Sequence, residues 1–174
     1  MNLEWKKISE ESLKAGYRKY LKRIFLMPDG RTEVYDVKDE GKVCCVLALT
    51  KKNEVVIAKQ YRPGPEKVLF ELPGGLVDTG ETPEEAIKRE LLEETGYTGN
   101  IEFVGTSLRC AYSTGIRYHF IARDCEKIQE PQLEENEFIE VELMPIEEFR
   151  KHLSSGNLSD VATGYMGLEY LGLL

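Results

Sequence analysis

The chain has 174 residues, 41% of them hydrophobic, which suits one compact domain over residues 1–174 rather than two. Its 31 acidic residues outnumber 23 basic ones, for a formal net charge of -8. An acidic chain gains no counterion-release energy from nucleic-acid phosphates, so a duplex is disfavoured as partner; a small phosphorylated substrate stays open if metal ions bridge it to the protein.

The first stretch, MNLEWKKISEESLKAG, is charged and lacks a long apolar core. It reads as neither a signal peptide nor a membrane span, so no membrane association and a cytoplasmic location are expected. Residues 18–40 then hold an antiparallel hairpin. Strand formers fill 20–27, Pro28-Asp29-Gly30 signals the turn, and 32–37 returns. The nearly continuous apolar run 43–49 predicts a buried strand. Lys51-Lys52-Asn53 turns the chain and 55–60 comes back. Pro63, Gly64 and Pro65 interrupt it, and a short strand is expected at 68–72.

The strongest helix signal follows Gly74-Gly75. Thr82 suits the N-cap, Pro83 the first helical position and Glu85 the capping box, and Gly96 supplies the stop. Further strands are expected at 101–108, 118–122 and 138–143. Helices are expected at 146–153 and 161–173, with Ser159 capping the second. Many strands with few helices indicate an α+β protein whose helices pack on a mixed sheet. The four cysteines, Cys44, Cys45, Cys110 and Cys125, show no C-x-x-C spacing. They read as free thiols suited to a reducing compartment.

At about 100° per residue, Glu90, Glu93 and Glu94 share one arc of the helix, beside the apolar stripe of Ile87 and Leu91. Like charges at this spacing cost a helix roughly 0.2–0.5 kcal/mol per pair. The helix dipole also disfavours anions near the C-terminal end. A hard divalent cation would offset that cost, as would an ion pair with Arg89. A bare E-x-x-E-E is more often a solvated acidic face, so its surroundings decide.

Those surroundings read GLVDTGETPEEAIKRELLEETGY, residues 75–97. This segment resembles the Nudix box G-x5-E-x7-R-E-U-x-E-E-x-G-U, with U a bulky apolar residue. Gly75, Glu81, Arg89, Glu90, Leu91, Glu93, Glu94 and Gly96 match, and Tyr97 stands at the last U. The resemblance implies an α/β/α sandwich and hydrolysis of a nucleoside diphosphate linked to another moiety. It implies Mg2+ as the metal, with Mn2+ as a substitute. Glu90, Glu94 and the Gly74 carbonyl are the implied ligands, with Glu93 sharing metal or water contacts. Gly75 gives the loop close approach, Arg89 orients the glutamates, and Glu81 positions the helix.

Upstream, KQYRPGPEKVLFELPGG is similar to the lead-in of ADP-ribose pyrophosphatases. Gln60, Tyr61, Arg62, Glu71, Leu72 and Pro73 match, and Gly74 replaces the commoner alanine. In that subgroup Arg62 would bind substrate phosphate, for which a bidentate guanidinium is suited. A glutamate in the loop before 138–143 would act as, or position, the catalytic base. Glu137 aligns best and Glu135 second. ADP-ribose pyrophosphatases are commonly homodimers that exchange N-terminal segments, so the 18–40 hairpin is a candidate dimerisation element. Ser113-Thr114-Gly115 stands where many of them carry S-P-G, a departure that bears on substrate and not on the pyrophosphatase chemistry.

Overall fold

The computed structural model describes residues 3–174. Met1 and Asn2, which begin the charged N-terminal stretch, lie outside the described residues. In chain order the elements are β1 (Lys6–Ala15), β2 (Arg18–Leu26), β3 (Thr32–Lys38), β4 (Lys42–Thr50), β5 (Glu54–Arg62), β6 (Lys67–Glu71), α1 (Pro83–Thr95), β7 (Tyr97–Leu108), β8 (Ile116–Lys127), β9 (Ile139–Pro145), α2 (Ile146–His152) and α3 (Val161–Leu171). Among the described residues, no helix is long and apolar enough to cross a membrane. The chain divides into two compact units: the described residues through Gly41 with Leu108–Ile116, and Lys42–Ser107 with Arg117–Leu174.

The first unit is a three-stranded antiparallel sheet in the order β1-β2-β3. The expected hairpin is β2 and β3, with Gly30 at positive φ in its turn. Strand β1 was not anticipated. Its sequence KKISEESLKA has no buried face, and all ten residues are exposed. Main-chain pairing with β2, from Lys6↔Leu26 to Ala15↔Arg18, makes it a strand, and composition does not report pairing. On this sheet Trp5, Phe25 and Tyr35 form a mutual edge cluster, and Tyr35 stacks on Tyr112.

The second unit carries the six-stranded sheet, ordered β6-β5-β4-β8-β7, with β9 also paired to β5. Strands β4 and β5 meet at Leu49↔Val55, and β5 then runs between β6 and β9. The period-2 alternation of side chains sorts β4 into two cores. Cys45, Leu47 and Leu49 join Ile121, Phe149, Leu153 and Leu168, on the side of α2 and α3. Cys44, Val46 and Ala48 join Ala86, Ile87, Leu91 and Phe120, on the side of α1. Helices therefore cover both faces, giving the expected α/β/α sandwich. The continuous apolar run of β4 is the signature of a strand buried twice.

Two boundary expectations are corrected. Ser159 does not cap α3. The N-cap is Asp160, without a side-chain cap bond, and the Ser159 hydroxyl donates to Glu71 instead. The helix also stops at Leu171, where Gly172 takes the left-handed conformation that terminates it.

Candidate active site

Local sequence sets the start and end of α1. Thr82 accepts from the Glu85 N–H at 3.2 Å, while Glu85 accepts from the Thr82 N–H at 2.8 Å. This reciprocal cap, with Pro83 at the first position, fixes the N-terminus. Gly96, at φ 76°, closes the other end with its N–H on the Leu92 carbonyl. Burial of Ala86, Ile87 and Leu91 against β4 fixes the roll of the helix. That roll carries Glu90 and Glu94 to the covered edge, while Glu93 stays half-exposed.

Glu94 is only 5% exposed. Its Oε2 accepts from the Gly74 N–H at 2.9 Å. Burial pushes its carboxyl up to about 8, against the pull of the Gly74 N–H; the charges of Glu90 and Glu137 push the same way as burial, and Arg62 opposes them. Burial likewise raises Glu90, Arg89 opposes it, and Glu93 and Glu137 add to it. Glu94 is thus held without an ion-pair partner among the described residues, whereas Arg89 offsets part of the cost at Glu90.

The segment 73–76 lies along β4. The Val46 N–H donates to the Pro73 carbonyl at 3.0 Å, and the Cys44 N–H to that of Gly75 at 2.9 Å. The intervening Gly74 carbonyl takes no part in these bonds. Both positions are crowded, Gly74 against the β4 backbone and Gly75 against the movable Glu90 carboxylate. A Cβ on Gly74 would stand 2.3 Å from the Cys44 carbonyl oxygen, and one on Gly75 would stand 2.3 Å from Glu90 Oε1.

Arg89 ties the cluster together. Its Nε and Nη2 donate to the two Glu81 oxygens at 3.0 Å each, a bidentate pair. Nη1 reaches Glu90 at 2.9 Å and Glu93 at 3.1 Å, and Nη2 also meets the Leu76 carbonyl at 3.2 Å. The glutamate-orienting arginine and the helix-positioning Glu81 thus have a single physical basis.

Among the described residues, no three carboxylate, imidazole or thiol side chains converge into a ready metal cluster. The glutamates repel one another, and Arg89 holds Glu90 and Glu93 as their counter-ion. In kind, however, the donors fit a hard divalent cation. They are carboxylate oxygens, two of them on side chains whose proton affinity burial raises, so a cation beside them would offset the cost of their charge.

A model of the NUDIX domain matches residues 40–161. The chain belongs to the Nudix family. An ADP-ribose pyrophosphatase of Bacillus subtilis is 30% identical over 177 residues, covering 99% of this chain and 95% of that protein. A GDP-mannose pyrophosphatase of Yersinia enterocolitica is 29% identical over 187 residues, covering 98% and 96%. The crystal structure of an ADP compounds hydrolase superposes with a TM-score of 0.81 over all of both chains at 17% identity, which shows the same fold. The protein is a Nudix hydrolase, and Gly75–Tyr97 is its Nudix box.

Beyond the box, the structure separates the two loop glutamates that the sequence leaves open. Glu137 lies half-buried, accepts from the Glu134 N–H at 3.1 Å, and its charge bears on both Glu90 and Glu94. Glu135 is exposed, and its charge is not among those acting on either carboxylate. Arg62, at the end of β5, donates from Nε to Glu71 at 2.5 Å. Its charge reaches Glu94.

Sequence reasoning missed the polar network beneath this Nudix site. Glu71, Ser159, Asp160 and Arg117 are linked through the Glu71–Ser159 bond and the 2.6 Å Arg117–Asp160 ion pair. Their sequence separations gave no signal. His119 is buried and bonded to Thr163 at 2.7 Å and Ser107 at 2.8 Å, as a packed strand histidine should be. Burial first, then the Arg117 charge, lowers it to about 4.

Proposed function

We propose that this Nudix hydrolase cleaves the diphosphate link of ADP-ribose, giving AMP and ribose 5-phosphate, with Mg2+ as its metal and Mn2+ as a substitute. The observation that carries the reading is the convergence of two box carboxylates, buried Glu94 and half-buried Glu90, on the Gly74-Gly75 backbone. Glu90, Glu94 and the Gly74 carbonyl would hold the cation, with Glu93 completing the set. When bound, it would supply neutralisation of the diphosphate charge and acidification of a water. Arg62 grips phosphate oxygens with its guanidinium. Gly75 leaves room for the diphosphate to approach the backbone. Glu137 accepts the proton of the attacking water or orients it, a role that its place beside Glu90 and Glu94 favours over Glu135. Arg89 keeps the glutamates aligned throughout.

The ADP-ribose assignment draws on the full-length likeness to the Bacillus subtilis ADP-ribose pyrophosphatase and on the flanking Gln60-Tyr61-Arg62 and Glu71-Leu72-Pro73. A second reading, hydrolysis of a nucleotide sugar, draws on the equally extensive likeness to the GDP-mannose pyrophosphatase. The missing proline at Ser113-Thr114-Gly115 also favours it. We read the protein as cytoplasmic, a compartment that suits its four free cysteines, and as a homodimer with the 18–40 hairpin as its dimerisation segment. Incubation with ADP-ribose, GDP-mannose, a dinucleoside polyphosphate and a modified nucleoside triphosphate, with product masses read in Mg2+ and in chelator, tests the reading. Turnover of ADP-ribose foremost, lost in chelator, is the expected result. Preferred turnover of another compound would replace the substrate, and undiminished turnover in chelator would remove the metal.

A further inference from the structure

Glu71 ends β6 and is 1% exposed. A buried carboxylate is costly unless its oxygens are bonded. Here Oε2 accepts from Arg62 Nε at 2.5 Å, and Oε1 accepts from the Ser159 hydroxyl. The sheet register explains how distant residues meet. Arg62 pairs with Lys67 and Ala58 with Glu71, so Arg62 and Glu71 lie on one face, four positions apart along the ladder. A long arginine folded back along the strand spans that gap.

Arg62 commits only its Nε to this contact. Among the described residues its two terminal nitrogens make no hydrogen bond, and its side chain is 43% exposed. The guanidinium is a rigid plane with five N–H donors. A bond at Nε fixes that plane from behind and leaves the terminal fork free. Glu71 stands three residues before Gly74, whose N–H bonds Glu94 at 2.9 Å, so the guanidinium that Glu71 holds lies on the segment leading into the carboxylate helix's own contact.

We propose that Glu71 is the positioning residue for Arg62, holding the guanidinium so that its free terminal N–H groups meet the diphosphate, with Ser159 fixing Glu71 in turn. The proposal rests on the reading of Arg62 as a phosphate-binding residue. The competing account is an ion pair that only stabilises the β5–β6 edge. A pair with one buried partner is a weak source of stability. It would also leave unexplained why Nε, and not the fork, is spent on it.

The test is steady-state hydrolysis of ADP-ribose with Mg2+ by the full chain, its Glu71→Gln, Ser159→Ala and Arg62→Ala variants, and each of the first two combined with Arg62→Ala. Glu71→Gln keeps an acceptor and loses the charge, and should raise KM roughly tenfold with a smaller fall in kcat. Ser159→Ala, which keeps both charges, should shift KM the same way by less. Neither change should worsen Arg62→Ala, because a misplaced fork and an absent fork are equivalent. Wild-type KM in Glu71→Gln and Ser159→Ala, with Arg62→Ala impaired, overturns the positioning role and leaves the Arg62 reading intact. Losses that multiply in the combined variants assign Glu71 a purely structural part and overturn it too. Wild-type kinetics in Arg62→Ala remove the phosphate-binding reading and the proposal with it. If Glu71→Gln does not fold, Ser159→Ala and its combination with Arg62→Ala decide. If ADP-ribose is not hydrolysed, the substrate reading fails separately, and the same variants are compared on the nucleotide that is.

Discussion

Replacing Glu94 by glutamine should change how the metal-free protein responds to pH. In the folded chain the Glu94 carboxyl is pushed up to about 8 from an ordinary 4.5, because it is buried and only the Gly74 N–H bonds it. The unfolded chain releases this proton near 4.5 and the folded chain holds it to about 8. The stability contribution is therefore full at low pH and is lost as pH rises through 8. At about 1.4 kcal/mol per pH unit, the whole effect is on the order of 4–5 kcal/mol. His119 titrates with the opposite sign below about pH 6.5, so the window above it excludes the histidine's contribution. Between about pH 6.5 and 8.5, chelated wild-type protein should lose about 2 kcal/mol of stability. Glu90 adds to the loss with the same sign. The Glu94→Gln variant keeps an acceptor for the Gly74 N–H and has no charge to bury, so it should lack the Glu94 part of this slope. Urea denaturation in chelator at a series of pH values measures both curves. Added Mg2+ at about a hundred times its Kd should then stabilise wild type by about 2.7 kcal/mol and the variant far less. Parallel slopes in the two proteins would refute the buried-charge argument, and equal Mg2+ stabilisation would remove Glu94 from the metal site.

Glu137→Gln should lower kcat by roughly a hundredfold, whereas Glu135→Gln should stay within about twofold, as steady-state assays at saturating Mg2+ will show. Equal losses would mean that proximity to Glu90 and Glu94 does not select the base. Thr82→Ala should cost about 1 kcal/mol through loss of the α1 cap, seen as a fall of a few degrees in Tm, with KM little changed. An unaltered Tm would show that burial of Ile87 and Leu91 alone holds the helix start. His119 is lowered to about 4 in the folded chain, so its contribution is present above its ordinary 6.5 and lost as pH falls through 4. His119→Gln should therefore remove up to about 3 kcal/mol of acid sensitivity, measured by urea denaturation between about pH 6.5 and 4. Retained sensitivity would assign it to other groups.

The sequence by itself determined α1 and what it carries. Thr82, Pro83, Glu85 and Gly96 are local signals that act within one turn of themselves, so they need no tertiary context. The spacing of Glu90, Glu93 and Glu94 beside Ile87 and Leu91 likewise fixes which face bears charge. The apolar run of β4 announced a strand covered on both sides, because only such a strand dispenses with polar alternation. Pairing and burial belong to the tertiary structure alone. Strand β1 exists through main-chain bonds to β2, to which its exposed side chains contribute no pattern. Ser159 looks like a cap because serine often is one, but the fold brings Glu71 to it across 88 positions of sequence. Glu137 and Glu135 have the same chemistry two residues apart, and only the placement of the loop against α1 gives them different neighbours. The charge state of Glu94 is likewise a property of the fold. Sequence puts a carboxyl on that helix edge, and removal of water by the packed sheet raises its proton affinity, which a bound cation would offset.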